Sequence, residues 1–367
     1  MSSGTREGFL HSALFFRSDD EFLSATVPFV QEGLAAGEPA LIVCDDRRNA
    51  LLAGLLPHDD RVTVLPRGAV YTRPAHVGAS YERLVNGLLS GGAPGTRLVS
   101  EPSFGTEAWA WRAWTAFEAA ANVAFAPLPF TAACGYDLRV LPGPMRLDVE
   151  RSHPYLLTAA GSVANDAYMD PAALIGGTPP PDPLEATPPA LDLVGIPDRA
   201  AAARARDRVR STVDAACPYP PVGSDFLVAV AEVVANALEH GRPPLRIRVW
   251  TTPSRLLCTV TDHGPGSALH LAGLSRGHID RDGPGAGLWL ARQTCDHLDA
   301  YPTAEGFTVR LTSAVPGADP GREGGRAEAT ARRVQAARRR AAEILRRADR
   351  RPEATDNLDA HRRRPLG

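Results

Sequence analysis

The sequence predicts two folded units in series, an α/β domain built on a parallel sheet and a smaller α+β sandwich, on three observations. From residue 9 to residue 157 short apolar runs alternate with amphipathic stretches, the pattern of strands joined by helices that cover both faces of a parallel sheet. Six prolines fall between Gly176 and Asp192, in GGTPPPDPLEATPPALD, where neither a helix nor a central strand tolerates them. Beyond them the order becomes helix, helix, strand, strand, helix, strand, which suits a mixed sheet with its helices on one face. The expected boundaries are 9–170 for the first domain, 171–192 for a stiff extended linker, 193–315 for the second domain and 316–367 for an Arg-rich flexible tail. A chain of 367 residues is long enough for two separate cores.

In the first unit SALFF (12–16) reads as a strand, DDEFLSATVPFVQEGLAAG (19–37) as a helix and PALIVCDD (39–46) as a second strand. RVTVLP (61–66) follows, then a helix near 77–90, the strand TRLVSEPS (96–103), a Trp-rich helix at 106–122 and the strand FTAACGYD (130–137). In the second unit helices are expected at 198–216, 224–240 and 286–297. Its strands are expected at RIRVWTT (246–252), LLCTVTDHG (256–264) and GFTVRLTS (306–313). The helix at 224–240 has apolar residues at Val228, Ala231, Val234, Ala235 and Leu238, a spacing that predicts one buried face. A different face carries Glu232, Asn236 and Glu239 before the helix stops at Gly241.

Composition narrows the chemistry. Hydrophobic residues make up 44% and charged residues 22%, ordinary for a globular chain, and a net charge of −2 gives no overall attraction to nucleic acid or anionic lipid. No apolar run suggests a membrane span and no leader is evident at the start, so the chain reads as cytoplasmic, with no membrane partner. The five cysteines, Cys44, Cys134, Cys217, Cys258 and Cys295, lack CxxC spacing, which argues against a disulfide framework and a zinc site. Most sit in apolar surroundings, as small core residues do. All 40 basic residues are arginine. Without lysine there is no Walker phosphate loop and no Schiff base, so a nucleotide must be held in another way. The basic tail has no interleaved aromatics for stacking, and nucleic acid is not expected as its partner.

Three features of the second unit supply that other way. Glu232 and Asn236 lie one turn apart on a helix, VTDHGPG ends a strand in Asp262 followed by Gly264 and Gly266, and in DGPGAGLWLARQTCD the glycines Gly283, Gly285 and Gly287 open into a helix. A carboxylate at a strand end accepts a hydrogen bond from an exocyclic amine such as adenine offers, and glycines beside it let backbone approach a flat ring. A glycine-rich helix start presents free N–H groups and the positive dipole end to phosphates. The Asn236 amide oxygen suits a magnesium ion, and Glu232 suits polarising a water or hydroxyl. In this order and spacing the three resemble the N box (E-x-x-x-N) and the two glycine boxes (D-x-G-x-G and G-x-G-[LI]) of the GHKL ATPase superfamily. They appear here as Glu232–Asn236, Asp262–Gly264–Gly266 and Gly285–Gly287–Leu288. The resemblance implies ATP and Mg2+ as cofactors, with Glu232 as catalytic base, Asn236 as the magnesium ligand and Asp262 as the adenine contact. Arg242 can reach a phosphate or stand as an exposed loop arginine, the reading preferred here.

Within that superfamily the short 267–282 segment and the wording EVVANALEHG look most like anti-sigma serine kinases of the partner-switching type. That implies a regulator that sequesters a sigma factor and phosphorylates a serine or threonine on its anti-anti-sigma antagonist. Alternatives are a non-catalytic ATP-gated binding module and an atypical sensor histidine kinase. The latter needs an acceptor histidine on a hairpin before the ATP unit, but AAARARDRVRSTVDAAC has none, and His153 stands beside a proline. His240, His263 and His278 lie within the boxes or the segment between them. The first unit, through HSALFFRSDDEFLSATVPFVQEGLAAGEPALIVCDD, RLVSEPS and ACGYD, resembles the MEDS sensory domain, which implies a RecA/KaiC-like sheet without a phosphate loop. RSDDEF after its first strand has neither glycine nor lysine, so no nucleotide is expected there. Glu101, Trp109, Arg112 and Trp114 are candidates to line a small-molecule pocket at the sheet edge, against the preferred reading of tryptophans packed into the core. Whether two copies pair as a homodimer stays open.

Overall fold

The computed structural model describes residues 8–102, 107–266 and 286–315. It opens with β1 (Phe9–Phe16) and α1 (Asp19–Ala35). Ser18 caps α1 by accepting from the Glu21 N–H, while Asp19, Asp20 and Glu21 place negative charge at the helix's positive end. The chain continues through β2 (Ala40–Val43), α2 (Asp46–Leu55), β3 (Val62–Val64), α3 (Arg67–Val70), α4 (Pro74–Ser90) and β4 (Thr96–Ser100). Next come α5 (Ala108–Ala124), β5 (Phe130–Asp137), α6 (Gly143–Ser152), β6 (Tyr155–Thr158), β7 (Gly161–Ala164) and α7 (Pro171–Ile175). The sheet order is β3-β2-β4-β5-β1-β6-β7, parallel throughout apart from the terminal β6–β7 hairpin. Consecutive residues of β2 face opposite layers: Leu41 and Val43 join the cluster of Trp111, Trp114 and Phe117, and Ile42 joins that of Phe22, Phe29 and Val30. Burial on both faces is the reason the strands read as unbroken apolar runs.

At the carboxyl ends of β2, β4 and β5 the guanidinium of Arg48 is buried among acids. It lies 2.6 Å from Glu101, 2.8 Å from Asp45, 3.0 Å from Asp137 and 3.4 Å from Asp19. Arg67 also reaches Glu101, at 3.2 Å. The four carboxylates are matched by Arg47, Arg48, Arg67 and Arg139, so charge at this edge is balanced within the cluster. Of the candidates for a pocket at this edge, Trp114 packs into the core as the preferred reading has it, and the others are placed separately. Glu101 is committed to Arg48 and Arg67, Trp114 packs beside Tyr71 and Phe117, Trp109 is half-buried, and Arg112 pairs with Asp299 of the second domain.

A short 3-10 helix (Pro183–Ala186) leads into β8 (Leu191–Ile196), α8 (Arg199–Ala216), α9 (Pro220–His240), β9 (Leu245–Thr252) and β10 (Arg255–Asp262). Then come α10 (Ala286–Thr294), β11 (His297–Thr303) and β12 (Gly306–Ala314), in a sheet ordered β11-β12-β10-β9-β8. A mixed sheet was the expectation, and every described pairing in it is antiparallel. The connections explain this. Helices α8 and α9 return the chain to the end of the sheet where β8 finished, so β9 runs back beside it. Strands β10 and β11 run the same way through α10, but β12 inserts between them. The three helices cover one face, where Val209, Val213, Phe226, Val230 and Ala291 meet Ile247, Val249, Cys258, Val260 and Leu311.

Helix α9 turns differently from its expected phase. Its buried residues are Gly223, Phe226, Ala229, Val230, Val233 and Val234, whereas Val228 and Ala235 are exposed. The helix is apolar around more than half its circumference, so spacing alone did not choose the face; the bulk of Phe226 did. By length and composition α9 is apolar enough to cross a membrane, and here it is the central helix of the second core.

The proline-rich segment is not a free spacer. It lies along the sheet face opposite the helices, held by side chains of β9, β10 and β12. Arg255 reaches both oxygens of Asp182 (3.0 and 2.5 Å), Arg310 reaches Glu185 (2.8 Å), and Trp250 Nε1 donates to the Thr187 carbonyl (2.9 Å). The two domains also touch. Arg73 bridges Asp225 (2.9 Å) and Asp296 (2.7 Å), His76 meets the Gln293 carbonyl (3.0 Å), and Arg112 meets Asp299 (2.9 Å). Burial opposes the charge on Asp299, yet His297, Arg112 and Arg310 outweigh it and hold its pKa well below the usual carboxylate range. Replacing Arg48 by Ala would leave its buried acids facing one another. Urea denaturation should show Arg48→Ala destabilised by about 3–5 kcal/mol, the scale for breaking a buried ion pair.

Candidate functional site

Asp262 ends β10 and is 7% exposed. Its Oδ1 accepts from the backbone N–H of Gly264 (2.6 Å) and of Arg242 (3.1 Å), and the His263 N–H returns a bond to the Arg242 carbonyl (2.8 Å). Four glycines make this packing sterically feasible. A Cβ on Gly241 would lie 2.5 Å from the Asp262 carboxyl carbon, and one on Gly264 would lie 2.7 Å from Oδ1. Gly266 (φ +71°) and Gly306 (φ +137°) hold backbone shapes that side chains avoid, with the Phe307 ring and the Asp262 carbonyl oxygen against them.

Glu232 and Asn236 stand one turn apart on α9 and face the first turn of α10. A Cβ on Gly287 would lie 2.9 Å from Glu232 Oε2 and 3.0 Å from Asn236 Oδ1. Leu288, 4% exposed, fastens that turn into the core. Glu232, Asn236, Gly287 and Leu288 are therefore brought together, as are Asp262, Gly264 and Gly266. Gly283, Gly285 and His278 lie outside the described residues. Glu239 is exposed, the solvated end of the acidic stripe. The Arg242 side chain is exposed too, and its contribution is its backbone N–H to Asp262.

Gly241, read from the sequence only as a helix stop, and Gly306 and Phe307, not singled out there, pack against Asp262 and Gly266. Their signals were a glycine directly after a helix, and the tight A-E-G-F turn, neither of which names Asp262 as the neighbour.

These residues fit a purine nucleotide with a divalent ion. The glycines around Asp262 leave bare backbone for a flat ring, and both described hydrogen bonds to Asp262 fall on Oδ1. A helix start offers N–H groups without an intrahelical partner, the kind that bind phosphate, and α10 begins at Ala286, while Asn236 Oδ1 is a hard oxygen donor for Mg2+. When bound, Mg-ATP supplies a transferable phosphoryl group with part of its charge neutralised. The protein's own part would be to orient the ring through Asp262, seat the phosphates at the start of α10 and hold a proton acceptor, Glu232, at the phosphate end.

Comparison with known families bears on both halves. Residues 10–154 match MEDS, the methanogen/methylotroph DcmR sensory domain. Residues 197–313 match the histidine kinase-like ATPase domain. The chain thus joins a MEDS sensory domain to a histidine kinase-like ATPase domain, a signalling regulator with an ATP-using module. A comparison with curated proteins finds no match. Among solved structures, that of Oryza sativa TDC with PLP is 11% identical, with a TM-score of 0.24. The overlap takes in 88% of this chain and 66% of that one, so the chain spans just under two thirds of its length, and a likeness this weak carries no argument.

Gly287→Ala should push Glu232 and Asn236 aside without unfolding the domain. Calorimetric titration should show at least tenfold weaker Mg-ATP binding with an unchanged thermal midpoint.

Proposed function

We propose that this chain is an anti-sigma regulator of the partner-switching type, whose ATPase domain sequesters a sigma factor and phosphorylates a serine or threonine on the anti-anti-sigma antagonist, in the cytoplasm. The MEDS domain biases the choice between the two partners. The observation that carries the reading is the close approach of Gly287 to Glu232 and Asn236. It puts a carboxylate beside the turn that would seat the phosphates, where nucleotide binding alone has no use for a base. The direct contacts of α4 and α5 with α10 and β11 support a line of control from the first domain to that turn. His153, buried to 0% exposure, is a poor phosphate acceptor and weighs against a histidine kinase built on it.

The test is capture of partners from host lysate with and without Mg-ATP, followed by phosphoryl transfer to the captured antagonist. Nucleotide-dependent retention of a sigma factor or a small antagonist, with acid-stable phosphate on the latter, is the expected result. Retention of a response regulator with acid-labile phosphate on this chain would replace the proposal with a histidine kinase. Retention without any transfer would reduce it to an ATP-gated binding module. Glu232→Ala should lose transfer while keeping ATP affinity within about twofold of wild type, compared by titration and radiolabel transfer. Asp262→Asn should weaken ATP binding by about 1–3 kcal/mol, the scale of a hydrogen bond to a charged group, measured by calorimetry.

A further inference from the structure

The first domain holds a second constellation far from the nucleotide site. His11 from β1, Glu118 from α5, Cys134 from β5 and His153, directly after α6, each turn one donor atom inward, all within 4.8 Å of one another. All four residues are buried, at 0–4% exposure. Both histidines are oriented from behind. Asn122 donates its amide to the carbonyls of Ser152 (2.8 Å), Glu118 (3.2 Å) and Ala119 (3.3 Å), which turns its oxygen toward His11 Nδ1 at 3.1 Å. His11 therefore keeps its proton on Nδ1 and offers the Nε2 lone pair. His153 does the same, with Nδ1 at 2.8 Å from the Val149 carbonyl. Backing of this kind is what metal-binding histidines carry.

The inward atoms lie close together, with the Cys134 thiol in hydrogen-bond reach of the His11 Nε2 lone pair. Glu118 Oε2 lies 3.1 Å from His11 Nε2 and 3.7 Å from His153 Nε2, and Cys134 Sγ lies 3.4 Å from His11 Nε2. Glu118 Oε1 is buried without a hydrogen-bond partner, though the Tyr136 hydroxyl bears on the same carboxylate and lies 3.5 Å from His153 Nε2. Zinc bonds of about 2.0–2.1 Å to nitrogen or oxygen and about 2.3 Å to sulfur place tetrahedral ligand pairs about 3.3–3.6 Å apart. The separations of 3.1, 3.4 and 3.7 Å lie around that range, and all four atoms fall within 4.8 Å of one another.

We propose that His11, Glu118, Cys134 and His153 form a closed four-ligand site for one zinc-class dication. Two imidazoles and a thiolate select a borderline-soft metal over magnesium or calcium. The thiolate and carboxylate together cancel a charge of two, which suits an ion enclosed by protein. The absence of CxxC spacing argued against zinc, but this site takes a single cysteine and draws its other ligands from three other elements.

The test is metal analysis of the purified full-length chain, then Co2+ titration of the chelator-treated chain without nucleotide, read by absorption spectroscopy. Expected are one zinc-class ion per chain as purified or one equivalent of Co2+ taken up, with tetrahedral ligand-field bands and a thiolate charge-transfer band, displaced by Zn2+. Cys134→Ser should remove the charge-transfer band, and Asn122→Ala, which leaves all four ligands in place, should weaken Co2+ binding about 10–100-fold. Failure of the wild-type chain both to carry such an ion and to take up Co2+ or Zn2+ would overturn the proposal. So would a cobalt spectrum unchanged in Cys134→Ser. Neither of the wild-type measurements depends on a variant folding.

Discussion

Two backbone N–H groups, from Arg242 and Gly264, converge on one oxygen of Asp262, and three elements meet through that atom. The exit of α9 is fixed to the end of β10 by the first bond, the turn after β10 is closed by the second, and the start of β12 crosses directly over the same residue at Gly306. Where α9 ends determines how Glu232 and Asn236 are presented, so their setting rests on a contact made at Asp262. Such crowding is feasible only for bare backbone. Glycine at 241, 264 and 306 is therefore as much part of the design as the carboxylate, and a side chain at any of them would push the three elements apart.

The second domain meets the first through the same framework. Helix α10, whose first turn faces Glu232, ends beside Arg73 and His76, and the adjoining strand β11 carries Asp299, the partner of Arg112. Arg112 and Glu118 are six residues apart on α5, about 9 Å along a helix. One rigid element thus runs from the buried His11–Cys134–His153 group to the edge of the ATPase sheet. A displacement of α5 has few ways to be absorbed before it reaches β11, because packed helices shift as bodies.

Much of this was legible in the residues. Two-sided burial made the strands of the first sheet stand out as apolar runs, and the offsets of acid, amide and glycine picked out Glu232, Asn236 and Gly287, which the fold brings together. Other parts hid for definite reasons. Helix α2 buries Arg48 and Asn49 beside Leu52, so no apolar stripe announced it. Strand β11 turns His297 and Asp299 inward and contains Pro302, a pattern that reads as a loop. The face of α9 was ambiguous because Val228 and Ala235 are as apolar as the residues that are buried. The four inward donors of the first domain are spread from residue 11 to residue 153, and only the β1–β5 pairing and the backing of α5 bring them together.

The docked proline-rich segment has a thermodynamic side. A flexible chain gains several kcal/mol of conformational freedom when it leaves a surface, roughly 1–2 kcal/mol for each residue released. Six prolines between Gly176 and Asp192 remove much of that gain, since their φ angles are already fixed in the free state. Release is therefore weakly rewarded, and a few arginine–carboxylate contacts suffice to keep the segment seated. The tether between the domains consequently acts as a cover on one face of the five-stranded ATPase sheet rather than as slack, and its grip, being ionic, loosens with rising salt.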